Sequence, residues 1–207
     1  MKRTISYLLS GAAAAFFVVG CASTKPLPRA YLESDHEMAV DYSRLKPKPV
    51  MRDSGQGGLI GILVNAGRGS NMREKLAGIQ GETLKELLRQ EITKQLEKKF
   101  IIAEDKKDLI LDVNIETWGW FVPSTMLGIK TGAYQCEIMG RVRMLDVKLK
   151  NKEVACVDLH VQKPLGNDPT PASAQEALLG ASHEFATKLA EFLLQRKTPD
   201  GKILKET

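Results

Sequence analysis

Between residues 109 and 161 the chain repeatedly alternates apolar with polar side chains, and this period of two restricts the fold more than any other feature. Successive side chains of a strand point to opposite faces, so alternation marks a sheet with one buried face and one wet face. Leu109, Leu111, Val113 and Ile115 share the inner face of a strand running from Leu109 to Trp118. In Tyr134 to Met144 the set is Tyr134, Cys136, Ile138, Val142 and Met144, and in Val154 to Val161 it is Ala155, Val157, Leu159 and Val161. A hairpin turning at Lys150-Asn151 aligns these two sets by pairing Val142 with Leu159 and Met144 with Val157. The outer faces then carry Asp112 and Glu116 beside Glu137, Arg141 and Arg143, a pattern of cross-strand ion pairs.

Helical spacing flanks the strands. Met72, Leu76, Ile79, Thr83, Leu87, Ile92, Leu96 and Phe100 recur on one stripe behind the capping pair Asn71 and Glu74. After a loop at Lys163 to Thr170, Thr170 and Pro171 make the cap and first turn of a closing helix that buries Leu178, Ala181, Phe185, Leu189 and Phe192. Met38 to Leu45 alternates weakly and reads as an edge strand, ended by the Lys-Pro-Lys-Pro stretch at Lys46 to Pro49, where proline cannot donate to a ladder. Gly55 to Gly69 sets a short apolar run among glycines and reads either as a small-residue helix or as a buried strand. The fold class expected is α+β: a mainly antiparallel sheet of three or four strands with two long helices packed on one face.

Before all of this stand Lys2 and Arg3, then an apolar run from Leu8 to Val19 that ends in Gly20-Cys21. A span of hydrocarbon needs about 20 apolar residues, so this shorter run has the form of a signal-peptide core. Val18-Val19-Gly20-Cys21 resembles a bacterial lipobox, although its first position is usually leucine. The resemblance implies cleavage before Cys21, attachment of palmitate-like acyl chains to that cysteine, and a membrane anchor with no transmembrane helix. Ala22, in place of the aspartate that often retains such proteins at the inner membrane, points to the outer membrane with the domain facing the periplasm.

The organisation expected is a signal peptide at 1–20, a lipidated Cys21 with an extended tether through 37, one α+β domain at 38–197 and a polar tail at 198–207. Removal of residues 1–20 leaves a chain of ordinary single-domain length. The formal charge of +5 includes Lys2 and Arg3. The mature chain is therefore only mildly basic, and nucleic acid is not an expected partner. Cys136 and Cys156 sit on opposite faces and several pairs apart along the ladder, so they are expected to be free thiols. No Cys or His spacing suits a metal, and no cofactor is expected.

No catalytic constellation is visible. His36 lies beside Asp35 and Glu37, and His183 shares a helix side with Glu176 and Thr187. Ser182 and His183 are helix neighbours about 100° apart, which rules them out as nucleophile and base. Asp158 and His160 share a strand face, but nothing completes a site around them. The connection from Gly119 to Lys130 is the better functional candidate, because hairpin loops are usually short and polar. Its Trp120, Phe121, Met126, Leu127 and Ile129 either fold back over the core or face a partner protein or bilayer.

The order of long helix, three meandering strands and closing helix is similar to small envelope lipoproteins: the YajG-type lipoproteins, the outer-membrane activators of penicillin-binding proteins, and the amino-terminal domain of TolB. The likeness covers roughly Glu82 to Gln195 and is carried by Leu84-Lys85-Glu86-Leu87-Leu88 and by Leu109-Ile110-Leu111-Asp112-Val113-Asn114-Ile115. It implies a non-enzymatic adaptor or assembly factor for another envelope component. A lipid- or glycan-binding module that uses Gly55 to Gly69 is the second reading, and an enzyme of unknown type is the third.

Overall fold

A computed structural model describes residues 24–53, 76, 78–105, 108–122, 133–166 and 169–204, with backbone alone at 51–53 and 122. Cys21, the capping pair Asn71 and Glu74, and the segment Gly55 to Gly69 lie outside these residues. Within them the elements are α1 (Ala30–Glu33), β1 (Glu37–Asp41), β2 (Val50–Asp53), α2 (Gly81–Leu96), β3 (Ile101–Ile102), β4 (Leu109–Val122), β5 (Tyr134–Asp146), β6 (Lys152–Gly166) and α3 (Pro171–Gln195).

The α+β class holds, but the sheet is mixed and larger than expected. Its strand order is β3-β1-β4-β5-β6, with β2 also pairing β4. The β4–β5–β6 meander is antiparallel, whereas β1 lies parallel to both β3 and β4, and β2 parallel to the end of β4. The edge strand expected at Met38 to Leu45 is therefore wrong: β1 is interior. The proline stretch does end β1, yet the chain returns to the same side of β4 as β2, so Val50 pairs Gly119 while Met38 pairs Leu109. The indole N–H of Trp118 donates to the Lys46 carbonyl at 2.8 Å and holds the intervening excursion against β4.

β4 runs past Trp118 because a bulge changes its parity. Ile115 pairs Gly140 and Thr117 pairs Met139, which leaves Glu116 as the extra residue. Before the bulge the odd positions Leu111, Val113 and Ile115 are buried; after it Trp118 and Trp120 take their place. Counting by twos loses the strand at this point, and for that reason Gly119 to Val122 has the look of a loop in the sequence.

The β5–β6 hairpin also differs in register. Val142 pairs Val157 and Met144 pairs Ala155, two residues from the pairing expected. Instead of a two-residue turn, the connection spans 147–151, and Val154 bulges between the pairs Met144–Ala155 and Leu145–Glu153. A shift of two preserves the face of every side chain, so the expected core residues are still the buried ones. Cys136 and Cys156 are both free and buried.

Both long helices cover one face. α3 is capped as the sequence indicates: the Thr170 hydroxyl accepts from the Ser173 N–H, the Ser173 hydroxyl accepts from the Thr170 N–H, and Pro171 begins the helix. Leu178, Ala181, Phe185, Leu189 and Phe192 are all buried. α2 starts later than its pattern suggests, with Gln80 at its N-cap. Its buried stripe is Leu84, Leu88, Ile92 and Leu96. Thr83 and Leu87 lie one position off that stripe and are only half-buried, while Ile79 is buried ahead of the helix. Gly81 sits at the helix start because a Cβ there would meet the Pro47 backbone at 2.7 Å.

The stretch expected to be an extended tether is part of the fold. Lys25 and Cys156 exchange backbone hydrogen bonds of 2.9 and 2.8 Å in an antiparallel bridge, and Leu27 is fully buried in the core. The Tyr31 hydroxyl then donates to Asp146 at 2.6 Å. At the other terminus, Lys197 bridges Ile203 and Leu204 packs on the core, so the first part of the expected tail folds back.

Candidate functional site

Three regions bear on function: the open face of the sheet, the end of β4, and a groove beside β1. Face alternation on β4, β5 and β6 sends polar side chains to the side opposite the helices, and there they are matched to one another. Buried Asp112 takes hydrogen bonds from two guanidinium groups, Arg44 and Arg143, the latter through Nε at 3.0 Å and Nη2 at 2.6 Å. Arg141 binds Asp158 through Nε at 2.7 Å and Nη2 at 3.2 Å. The His160 ring lies 2.7 Å from buried Glu137 and 3.0 Å from the Gln162 amide. Asp158 and His160 are thus oriented by structural partners on the neighbouring strand, in the cross-strand manner the sequence suggests for this face.

The remaining histidines are also engaged. His183 Nδ1 meets Glu91 at 2.7 Å, joining α3 to α2. His36 contacts the Ser34 hydroxyl at 2.9 Å and sits against the Tyr31 ring. Ser182 is fully buried in α3 and its hydroxyl has no hydrogen-bond partner among the described residues. Among those residues no group of acidic, cysteine and histidine side chains is arranged to hold a metal.

The apolar candidates between β4 and β5 divide. Trp120 is 1% exposed and belongs to the core, so it is not available to a partner. Phe121 pairs Gln135 at the end of the ladder and is half-buried. Met126, Leu127 and Ile129 lie outside the described residues. The indole nitrogen of Trp120 has no hydrogen-bond partner among the described residues.

Sequence reasoning missed an open groove of about 820 Å³ between α2 and the β1–β3 side of the sheet. Tyr42, Ile102, Glu86, Arg89, Lys94 and Glu97 help to line it. Burial pushes the Tyr42 phenol above the ordinary tyrosine range, with Arg89 opposing and Glu86 adding to the shift. Its hydroxyl has no hydrogen-bond partner among the described residues. The groove escapes a sequence reading because it depends on β1 and β3 pairing in parallel across a large sequence separation, which no local pattern records.

No protein-family model matches the chain, and no curated protein matches it. Solved structures with similar arrangements include protein XCC0632 from Xanthomonas campestris, of the DUF330 family, at 13% identity over 82% of this chain and 90% of that one, with a TM-score of 0.47. Uncharacterized lipoprotein B from Nitrosomonas europaea matches at 11% identity over 76% of this chain and 83% of that one, with a TM-score of 0.32. The PelC dodecamer from Paraburkholderia phytofirmans matches at 10% identity over 78% and 90%, with a TM-score of 0.32. With every score below 0.5, these likenesses transfer no residue role to this chain.

Proposed function

We propose that the chain is a bacterial lipoprotein, cleaved before Cys21, anchored through acyl chains on that cysteine, and acting as a non-enzymatic adaptor for another envelope component. The observation that carries this reading is the position of Lys25. Among the described residues the first paired position is Lys25, four residues beyond the cysteine of the lipobox-like Val18-Val19-Gly20-Cys21. Lys25 bridges β6 and Leu27 is buried in the core, so processing at Cys21 would keep these docked residues with the domain and hold the anchor close to it. Among the described residues no helix is long and apolar enough to cross a membrane, and two acyl chains suffice for stable anchoring.

The adaptor half of the reading rests on chemistry. The Asp158–His160 pair, the best enzyme candidate, is tied up in cross-strand contacts with Arg141 and Glu137. The contact surface proposed is the apolar connection after β4, reduced to Phe121, Met126, Leu127 and Ile129, with an outer-membrane, periplasm-facing location. Metabolic labelling with a fatty-acid probe tests the anchor: label lost in Cys21→Ala supports it, and label retained overturns it. A photo-crosslinking side chain at Leu127 tests the adaptor, whose loss of capture should not accompany Asp158→Asn or His160→Gln.

The unpartnered Tyr42 hydroxyl beside the groove favours a second reading, a module that binds a small polar or glycan ligand. Native mass spectrometry of the purified chain would reveal such a ligand, and its release by Tyr42→Phe would favour this reading over the adaptor.

A further inference from the structure

We propose that the β6 edge of the sheet lies against the lipid surface, with the strands running roughly along the bilayer and the β3 edge turned away from it. The inference rests on the lipid anchor proposed above and adds an orientation to it. Its starting point is the Lys25–Cys156 bridge, which pins the chain to the outside of β6. A fully extended chain covers at most about 3.6 Å per residue, so the Cα of Lys25 stands within about 14 Å of the Cα of Cys21.

That reach excludes an upright domain. Strands rise about 3.4 Å per residue, which places Gly166, the far end of β6, about 34 Å from Cys156. If that end rested on the lipid, the anchor could not reach its membrane. The near end at Lys152 is about 14 Å from Cys156, at the limit of reach. The bridge is antiparallel, however, so Thr24 falls on the residue-157 side, about 17 Å from Lys152, and the three residues from Thr24 to Cys21 cover at most about 11 Å. Neither strand end can therefore be the membrane face.

The open face of the sheet is a poor alternative. Arg44, Arg141 and Arg143 on it are bonded to Asp112 and Asp158, and His160 to Glu137, so these described cationic side chains are already matched and offer little charge to anionic headgroups. The β6 edge is where the anchored segment enters, and it lies within the allowed distance. Four strand spacings of about 4.8 Å separate it from β3, so the two edges should differ by about 19 Å in height. Tyr42 and its groove, on the β1–β3 side, then open away from the membrane.

The test uses the full acylated chain in vesicles of phosphatidylethanolamine and phosphatidylglycerol at three to one. Donor fluorophores are placed singly at Gln162→Cys on β6 and Ile101→Cys on β3, both exposed positions, with Cys136→Ala and Cys156→Ser in the background and acceptor dye on the lipids. More than twofold greater transfer from residue 162 than from residue 101 is expected. Twelve Gly/Ser residues inserted between Thr24 and Lys25 should erase the difference. Equal transfer from the two sites in a chain that mass spectrometry shows to be acylated overturns the orientation and leaves the anchor standing, whereas an unacylated chain overturns both. Hydroxyl-radical footprinting of the unsubstituted acylated chain repeats the comparison without labels, with protection expected at His160 and not at Ile101.

Discussion

The indole nitrogen of Trp118 donates to the carbonyl of Lys46 at 2.8 Å, and this bond decides how β1 and β2 can both flank β4. The ring is fully buried, while the segment it holds contains the prolines that keep it out of the ladder. Trp118→Phe keeps most of the apolar surface but strands the Lys46 carbonyl. A loss of about 1–3 kcal/mol is expected in urea unfolding. Faster amide exchange in β2 than in β5 would locate the damage; a uniform change would argue against this role.

Gly119 is the adjacent requirement. Its φ is +140°, and a Cβ there would collide with the Val50 carbonyl oxygen. Gly119→Ala therefore combines a backbone conformation that favours glycine with a collision against backbone that cannot yield. The expected cost is at least about 2 kcal/mol. Gly166→Ala is the control, because its φ is also positive but nothing stands within 4 Å of the added carbon. Comparing the two midpoints separates strain from collision.

These two residues also show where the sequence stops being readable. The alternation that places Leu111 and Val113 inside, and the Thr170-Pro171 signal that opens α3, are local and therefore legible. The Glu116 bulge adds one residue to β4 and inverts its faces, so Trp120 reads as a loop residue open to either core or partner, when it is a strand residue buried in the core. The parallel pairing of β1 and β2 with β4 joins residues about 70 apart, and nothing in either segment announces its partner. The docking of Lys25 and Leu27 is hidden because a stretch with Pro26 and Pro28 has the composition of a linker. The candidate contact residues are legible as an apolar excess, and the groove beside Tyr42 is not legible at all.

The Tyr31–Asp146 bond predicts a pH dependence with a definite sign. Burial raises the Asp146 carboxyl, but the Tyr31 hydroxyl, the backbone N–H groups of Leu149 and Lys148 and the Lys148 charge outweigh it, so its pKa lies below the ordinary value. A depressed carboxyl adds stability above its unfolded pKa of about 3.9, and that stability disappears as pH falls through the folded value. Burial and the bond to Asp146 push the Tyr31 phenol up to about 12. Its contribution is complete below the unfolded tyrosine value of about 10 and is lost as pH rises through about 12. Melting temperatures across pH 2–12 should fall off at both ends in the parent chain. Tyr31→Phe should flatten both shoulders and be less stable near neutrality.

Cys136 and Cys156 provide the last prediction, one that concerns an oxidising compartment. Cys136 pairs Lys163 and Cys156 pairs Arg143, so the two lie seven ladder positions apart, and they point to opposite faces. A disulfide spans a Cα separation of only about 4.4–6.8 Å, which this ladder cannot supply. Burial, with a smaller effect of the Glu137 charge, pushes the Cys136 thiol up to about 12, and burial also raises Cys156. At pH 8 a thiol with that pKa is ionised in roughly one molecule in ten thousand, and the thiolate is the reactive form. The folded chain should therefore leave Cys136 unreacted with Ellman's reagent for hours. In denaturant both Cys136 and Cys156 should react at once, and oxidised refolding should not join them. Rapid native reaction at Cys136 would mean that the β5 core opens, and a Cys136–Cys156 disulfide by mass spectrometry would refute the observed register.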